Sequence, residues 1–255
     1  MTDTTSLSGK HALVTGGGTG IGLAIAQALA ARGAQVTITG RRQEVLDQVA
    51  GDGVFGVAMD VRDEDAVNDT VAAVTRARGP IQICVPNAGI AEGRAVHKTD
   101  LEFWRNMMAT NLDGAFLTIK ACLPGMRQTD WGRVIAVSSI AGLRGLPGAA
   151  AYAASKHGLI GLIRSLSEDY MGQPYTFNAL CPGYVDTPIV DRNQEAIAER
   201  TGMSSEDARK VMINANRHKR LLDADEVAAA ALWLTGPGSQ SINGQCIQIS
   251  GGQTV

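Results

Sequence analysis

Apolar positions along the chain follow two alternating patterns. Short runs rich in β-branched residues have the length and composition of buried strands: His11–Thr15, Val36–Thr39, Val54–Met59, Ile81–Val85, Arg133–Val137, Tyr175–Leu180 and Cys246–Ile249. Between them lie longer stretches with helical spacing. These are Ile21–Arg32, closed by Gly33; Arg42–Ala50; Asp63–Arg78, stopped by Gly79 and Pro80; and Ala149–Tyr170, which has no internal proline. A capping box at Thr99–Glu102 opens a long helix towards Leu123, and Asp223–Glu226 opens an alanine-rich helix to Leu234. Strands alternating with helices throughout predict an α/β fold, a doubly wound parallel sheet with helices on both faces. No linker or repeat interrupts the pattern, so a single domain is expected over 1–255. The segment 187–219 departs from it. It is polar, charge-rich and weakly periodic, and reads as short helices inserted as a substrate lid beyond the carboxyl end of a strand.

Composition removes several classes of function. With 45% hydrophobic and 19% charged residues and a formal net charge of -2, the chain is neither disordered nor marked for nucleic acid or an anionic membrane. No apolar run approaches the roughly 18 residues of a membrane span, and Met1–Lys10 does not read as a signal peptide. A cytoplasmic protein is expected. Cys84, Cys122, Cys181 and Cys246 form no CxxC pair and are expected as reduced, buried thiols. His11, His97, His157 and His218 have no metal-ligand spacing, so no metal site is expected.

The chemistry begins at the turn between the first strand and the first helix. There Gly16, Gly18, Thr19, Gly20, Ile21 and Gly22 lie in a Gly-x-x-x-Gly-x-Gly spacing, not GxGxxG. Glycines let the backbone approach a ligand, and the helix start offers free N–H groups to a pyrophosphate. After the second strand, where NAD enzymes place an acid, the chain has Arg41 and Arg42. An arginine there pairs with the 2′-phosphate of NADP, so NADP is favoured, with NAD the alternative. Read blandly, both arginines are solvated residues at a helix start.

Tyr152 and Lys156 lie one helical turn apart and share a face, and Ser139 ends the strand begun at Arg133. Alone, such a Tyr/Lys pair is a common surface feature. In order along the chain, however, come the glycine turn, Asn87-Ala88-Gly89, Asn111, Ser138-Ser139, Tyr152 with Lys156, and Pro182-Gly183. From Lys10 to Gly252 this series resembles the short-chain dehydrogenase/reductase family. The resemblance implies a Rossmann fold, a nicotinamide cofactor, and interconversion of ketones and secondary alcohols.

It also implies roles. Tyr152 exchanges the proton, Ser139 holds the substrate oxygen, Lys156 also binds the nicotinamide ribose, and Asn111 holds a water that links Lys156 to solvent. Asp60 and Val61 resemble the adenine-binding pair. Asn87, Ala88 and Gly89 lie under the cofactor, and Pro182, Gly183, Val185 and Thr187 frame the nicotinamide. Pro86 departs from the family, which more often has asparagine there. The physical logic is independent: a tyrosine brought from about 10 to about 7 by a nearby ammonium has gained roughly 4 kcal/mol.

Thr187–Val190, Gly202–Glu206 and Val211–Ile213 resemble the lid of D-3-hydroxybutyrate dehydrogenases. Where those enzymes bind a carboxylate, this chain has Ala91, Ala141 and Ala149, which argues against a hydroxy-acid substrate. Ile140, Leu143, Leu146, Tyr184, Ile189 and Val190 are the pocket candidates. Arg94 and Arg144 are the nearby cations, read as solvent-facing.

The expected activity is hydride transfer between NADP(H) and a small-molecule ketone/alcohol pair. The rival enzymes are an NAD-dependent hydroxyacid dehydrogenase and a 3-hydroxyacyl thioester dehydrogenase. A non-catalytic dinucleotide sensor is the rival of another class. Apolar residues on several sides of the Tyr152 helix (Leu159, Ile160, Leu162, Ile163, Leu166), with Phe116 and Ile119, predict faces covered by other copies. A second interface at Val227–Leu234 and Cys246–Ile249 would complete a homotetramer.

Overall fold

The computed structural model describes residues 6–253. Seven strands form one parallel sheet: β1 (His11–Thr15), β2 (Gln35–Gly40), β3 (Val54–Ala58), β4 (Ile81–Val85), β5 (Gly132–Val137), β6 (Tyr175–Pro182) and β7 (Cys246–Ile249). Their spatial order is β3-β2-β1-β4-β5-β6-β7. Alternate residues of each strand face opposite sides, as the pleat requires. Ala12 and Val14 of β1 join one core and Leu13 the other. Helices α1 (Gly20–Ala30) and α9 (Ala224–Thr235) cover the first side, where Ile25, Leu29, Ile38, Val227 and Leu234 are buried. Helices α3 (Glu64–Arg78), α5 (Gly114–Met126) and α6 (Ala150–Asp169) cover the second, around Val67, Ile119, Leu159, Ile163 and Phe177. The expected doubly wound sheet is therefore the observed fold.

Local differences from the sequence reading have physical causes. The helix expected at Arg42–Ala50 is only one turn, α2 (Gln43–Asp47), with Arg42 as its N-cap. Three residues with positive φ (Gly51, Asp52 and Gly53) turn the chain back into β3 directly after it. The long helix expected after Thr99 is capped by Asp100, whose carboxylate accepts from Phe103 N over 2.7 Å. It forms α4 (Leu101–Met108), widens into a π-turn at Ala109–Asp113, and resumes as α5. Asn111 sits in the π-turn.

The 187–219 segment contains α7 (Pro188–Thr201) and α8 (Ser205–Ala215). Gly202 in the left-handed region ends α7, and the Ser204 side chain caps α8. Two further corrections concern surfaces. Cys246 is half-buried rather than buried, although all four cysteines are free. Leu159, Ile160, Ile163 and Ile119 lie in the core, and Leu162 and Leu166 pack against it. Of the predicted apolar faces, Phe116 stays exposed, and so does Trp233 on α9.

Candidate active site

Strand order reverses direction between β1 and β4, and the chain's polar motifs gather at the carboxyl ends there, where open α/β sheets bind ligands. Thr15 ends β1 and its hydroxyl accepts from the backbone N–H of Asn87 and of Ala88, each over 3.0 Å. In return Asn87 Nδ2 donates to the Thr15 carbonyl over 2.8 Å. These bonds lock the glycine turn to the end of β4. Gly16, with φ +64°, could not be replaced freely, because a Cβ there would stand 3.0 Å from the Ala88 Cα.

Gly22 was expected to touch cofactor but does not line the groove. A Cβ on it would collide with the Gly16 carbonyl oxygen, so its glycine serves the close packing of helix against turn. Gly16, Gly18, Thr19, Gly20 and Ile21 do line the cavities.

Two adjoining cavities cross this turn and share Gly16, Thr19, Ala88 and Gly89. The larger, of about 670 Å³, contains Arg41, Arg42, Asp60, Val61 and Arg62. Asp60 pairs with Arg62 over 2.6 Å, and that hydrogen bond holds its carboxyl below the usual range. Arg41 and Arg42 are exposed and, among the described residues, have no ion-pair partner. The smaller cavity, of about 350 Å³, contains Asn87, Ser139, Tyr152, Lys156, Pro182, Gly183, Val185 and Thr187. Free amides of the first turn of α1 at the middle, and guanidiniums at one end, suit a nicotinamide dinucleotide bearing a 2′-phosphate.

Tyr152 and Lys156 lie on α6. Ser139 follows β5, and its Oγ accepts from Ala141 N over 3.1 Å. Tyr152 hydrogen-bonds Ser139, which lowers its pKa, but burial outweighs this and pushes the phenol up. The expected depression by Lys156 is not met in this state. Lys156 Nζ lies 5.9 Å from the Tyr152 ring centre and donates to the Val137 carbonyl over 2.9 Å. Burial pulls that ammonium down to about 8.

Asn111 is buried with its side chain engaged. Oδ1 accepts from Ile90 N over 2.8 Å, and Nδ2 donates to the Ile90 carbonyl over 2.9 Å and to Ser155 Oγ over 3.0 Å. The π-turn thereby fastens the loop after β4 to α6, a placement typical of such turns at functional sites.

Among the pocket candidates, Ile140, Leu146, Tyr184, Ile189 and Val190 line the smaller cavity. Leu143 does not; it packs against the core. Ala91 and Ala149 line the cavity, whereas Ala141 is fully buried outside it. Arg94 pairs with Asp100 over 3.0 Å, stacks on Phe103 and lines the larger cavity. Arg144 is half-buried, with its Nε buried and unpartnered, and so is not a simple solvent-facing residue. Sequence reasoning missed Arg192, Asn193, Ile197 and Met212, which face the cavity from α7 and α8. Their signal was present: Ile189, Arg192, Asn193 and Ile197 share one helical face.

A family model described as short chain dehydrogenase matches residues 10–198. A D-beta-hydroxybutyrate dehydrogenase of Rhizobium meliloti is 34% identical over 255 residues, covering 96% of this chain and 99% of that protein. The granaticin polyketide synthase putative ketoacyl reductase 1 of Streptomyces violaceoruber is 36% identical over 249 residues, covering 94% and 92%. An actinorhodin polyketide ketoreductase variant solved with NADPH superposes with a TM-score of 0.92 at 33% identity, covering 99% of each chain.

Proposed function

The chain belongs to the short chain dehydrogenase family, and on that premise we propose that it is an NADP(H)-linked reductase of ketones, or dehydrogenase of secondary alcohols, in which Tyr152 exchanges the proton. The observation that carries this reading is the meeting of Ser139, Tyr152 and Lys156 in one cavity that continues into the groove beside Arg41 and Arg42. The bound nicotinamide supplies or accepts the hydride. Ser139 Oγ holds the substrate oxygen, and Tyr152 Oη gives or takes its proton. Lys156, whose Nζ is bonded to the Val137 carbonyl, holds the nicotinamide ribose, and its ammonium favours the phenolate once it turns from that carbonyl towards the phenol. Asn111 positions a water that returns the proton to Lys156. Asn87, Ala88, Gly89, Pro182, Gly183, Val185 and Thr187 shape the bed beneath the cofactor, and Asp60 and Val61 bound the adenine.

Substrate enters between the Ser139 loop and α7, so 187–219 acts as a lid on a single catalytic domain. The walls made by Ile140, Leu146, Ile189 and Val190 favour an apolar group beside the carbonyl. Similarity to the hydroxybutyrate dehydrogenase supports a second reading, oxidation of a short hydroxy acid with NAD, although Ala91 and Ala149 offer no charge to a carboxylate. The chain would act in the cytoplasm as a homotetramer; among the described residues no helix is long and apolar enough to cross a membrane.

The deciding experiment is turnover of a panel containing neutral ketones, a short 3-oxo acid and a 3-oxoacyl thioester, each with NADPH and NADH. Reduction of a neutral ketone with NADPH is expected. Exclusive use of the 3-oxo acid with NADH would transfer the assignment to the second reading. Cofactor binding without any turnover would leave a dinucleotide sensor.

A further inference from the structure

We propose that Arg192 on α7 is a clamp for the cofactor diphosphate, closing the groove opposite the first turn of α1. The inference rests on the dinucleotide reading above and assigns to the lid a contact independent of substrate.

Three observations support it. First, Arg192 lines both cavities, as do Gly16 and Thr19 of the glycine turn. It therefore borders the junction of the two, where the diphosphate of a bound dinucleotide would bridge the adenosine and nicotinamide ends. Second, Arg192 lies on the helical face of Ile189, Asn193 and Ile197, which looks into the groove. A merely solvated arginine belongs on the opposite stripe. Third, its charge is left uncompensated. The acid next to it, Asp191, is taken by Arg209, which also binds Asp186 over 2.8 Å. Among the described residues no carboxylate lies within ion-pair distance of Arg192. Glu92 borders the same cavities without pairing with it.

An unpaired guanidinium over a groove meets a diphosphate with two parallel N–H donors, the geometry that arginine forms best. The helix start supplies donors on the other side. A substrate carboxylate would be a different occupant, but the shared border with Gly16 and Thr19 favours the cofactor.

Two probes separate the contacts. 2′-Phospho-ADP-ribose carries the diphosphate, and adenosine 2′-monophosphate keeps the 2′-phosphate but has no phosphate at the 5′ position. Calorimetry on Arg192→Ala should show about tenfold weaker binding of the first and of NADPH, as for loss of a charge-assisted hydrogen bond. The monophosphate should bind within about twofold of wild type, and Arg192→Lys should recover part of the loss. Unchanged thermal melting of the unliganded variant would establish that it folds.

Equal loss for both probes would reveal only general attraction and overturn the clamp. Unchanged cofactor affinity with a raised KM for substrate would move Arg192 to substrate binding and also overturn it. If wild type binds the monophosphate and NADPH but Arg192→Ala binds them equally well, the clamp falls while the dinucleotide reading stands. If wild type binds no dinucleotide, both fall.

Discussion

Asn111 and Lys156 converge on the bare α-carbon of Gly89. A Cβ built there would stand 3.1 Å from Asn111 Oδ1 and 3.6 Å from Lys156 Nζ. The missing side chain leaves open the space between the amide and the ammonium, where a relay water is proposed. Gly89→Ala should fold with a melting temperature within a few degrees of wild type, because its methyl meets only one tight contact. Turnover should fall about tenfold as the relay is blocked. Circular dichroism melts and steady-state kinetics test the two halves separately.

Tyr152→Phe removes the transferable proton and little else. Cofactor affinity should stay within about twofold while kcat falls by a factor on the order of 10² or more. Loss confined to KM, or activity kept within about tenfold, would remove Tyr152 from the proton-transfer role. Fluorescence titration with NADPH alongside stopped-flow turnover makes the comparison.

Arg41→Ala should weaken NADPH by roughly 1.5–3 kcal/mol, the range for a hydrogen bond to a charged group. NADH, lacking the 2′-phosphate, should bind as before. Equilibrium binding of the two reduced cofactors to wild type and variant gives the answer directly.

His11 provides a pH test of the fold. Its Nδ1 lies 2.8 Å from the Gly79 carbonyl and its Nε2 lies 2.9 Å from Thr37 Oγ1, linking β1 to β2 and to the end of α3. Burial holds its pKa below 6.5. The unfolded chain therefore takes up a proton first as pH falls. The contribution of neutral His11 is complete above about 6.5 and is lost as pH drops towards the lower folded value. Urea midpoints measured from pH 7.5 to 5 should decline in wild type, and the decline should be smaller in His11→Gln. Carboxylates titrate lower still and do not account for this window.

Assembly should depend on the apolar side chains the monomer leaves outside. Phe116 on α5 and Trp233 on α9 are 46% and 48% exposed, on opposite faces of the sheet. Phe116→Glu and Trp233→Glu should each reduce the mass seen by light scattering at micromolar protein, and together yield monomers. Wild type already monomeric and fully active would remove the tetramer.

The alternation of apolar strands and amphipathic helices determined the doubly wound sheet, because burial on both faces demands that pattern at every scale. The same local chemistry made the glycine turn, Ser139, Tyr152 and Lys156 legible. Each is carried by an order of residue types along the chain, and the reading of the last three drew on family resemblance. Other features depend on groups distant in sequence. Gly22 proved a packing glycine because Gly16 and Asn87 press on it, and Leu143 packs against the core although it follows Ser139 closely. The π-turn at Asn111 is invisible to helical periodicity; the amide is held there by Ile90 and Ser155. Periodicity gives each helix its faces, but the direction a face takes is set by what it packs against. Only the tertiary structure brought Arg192 to the cavities that the glycine turn lines and raised Tyr152 through burial, since desolvation is a property of the assembled surroundings and not of the residue.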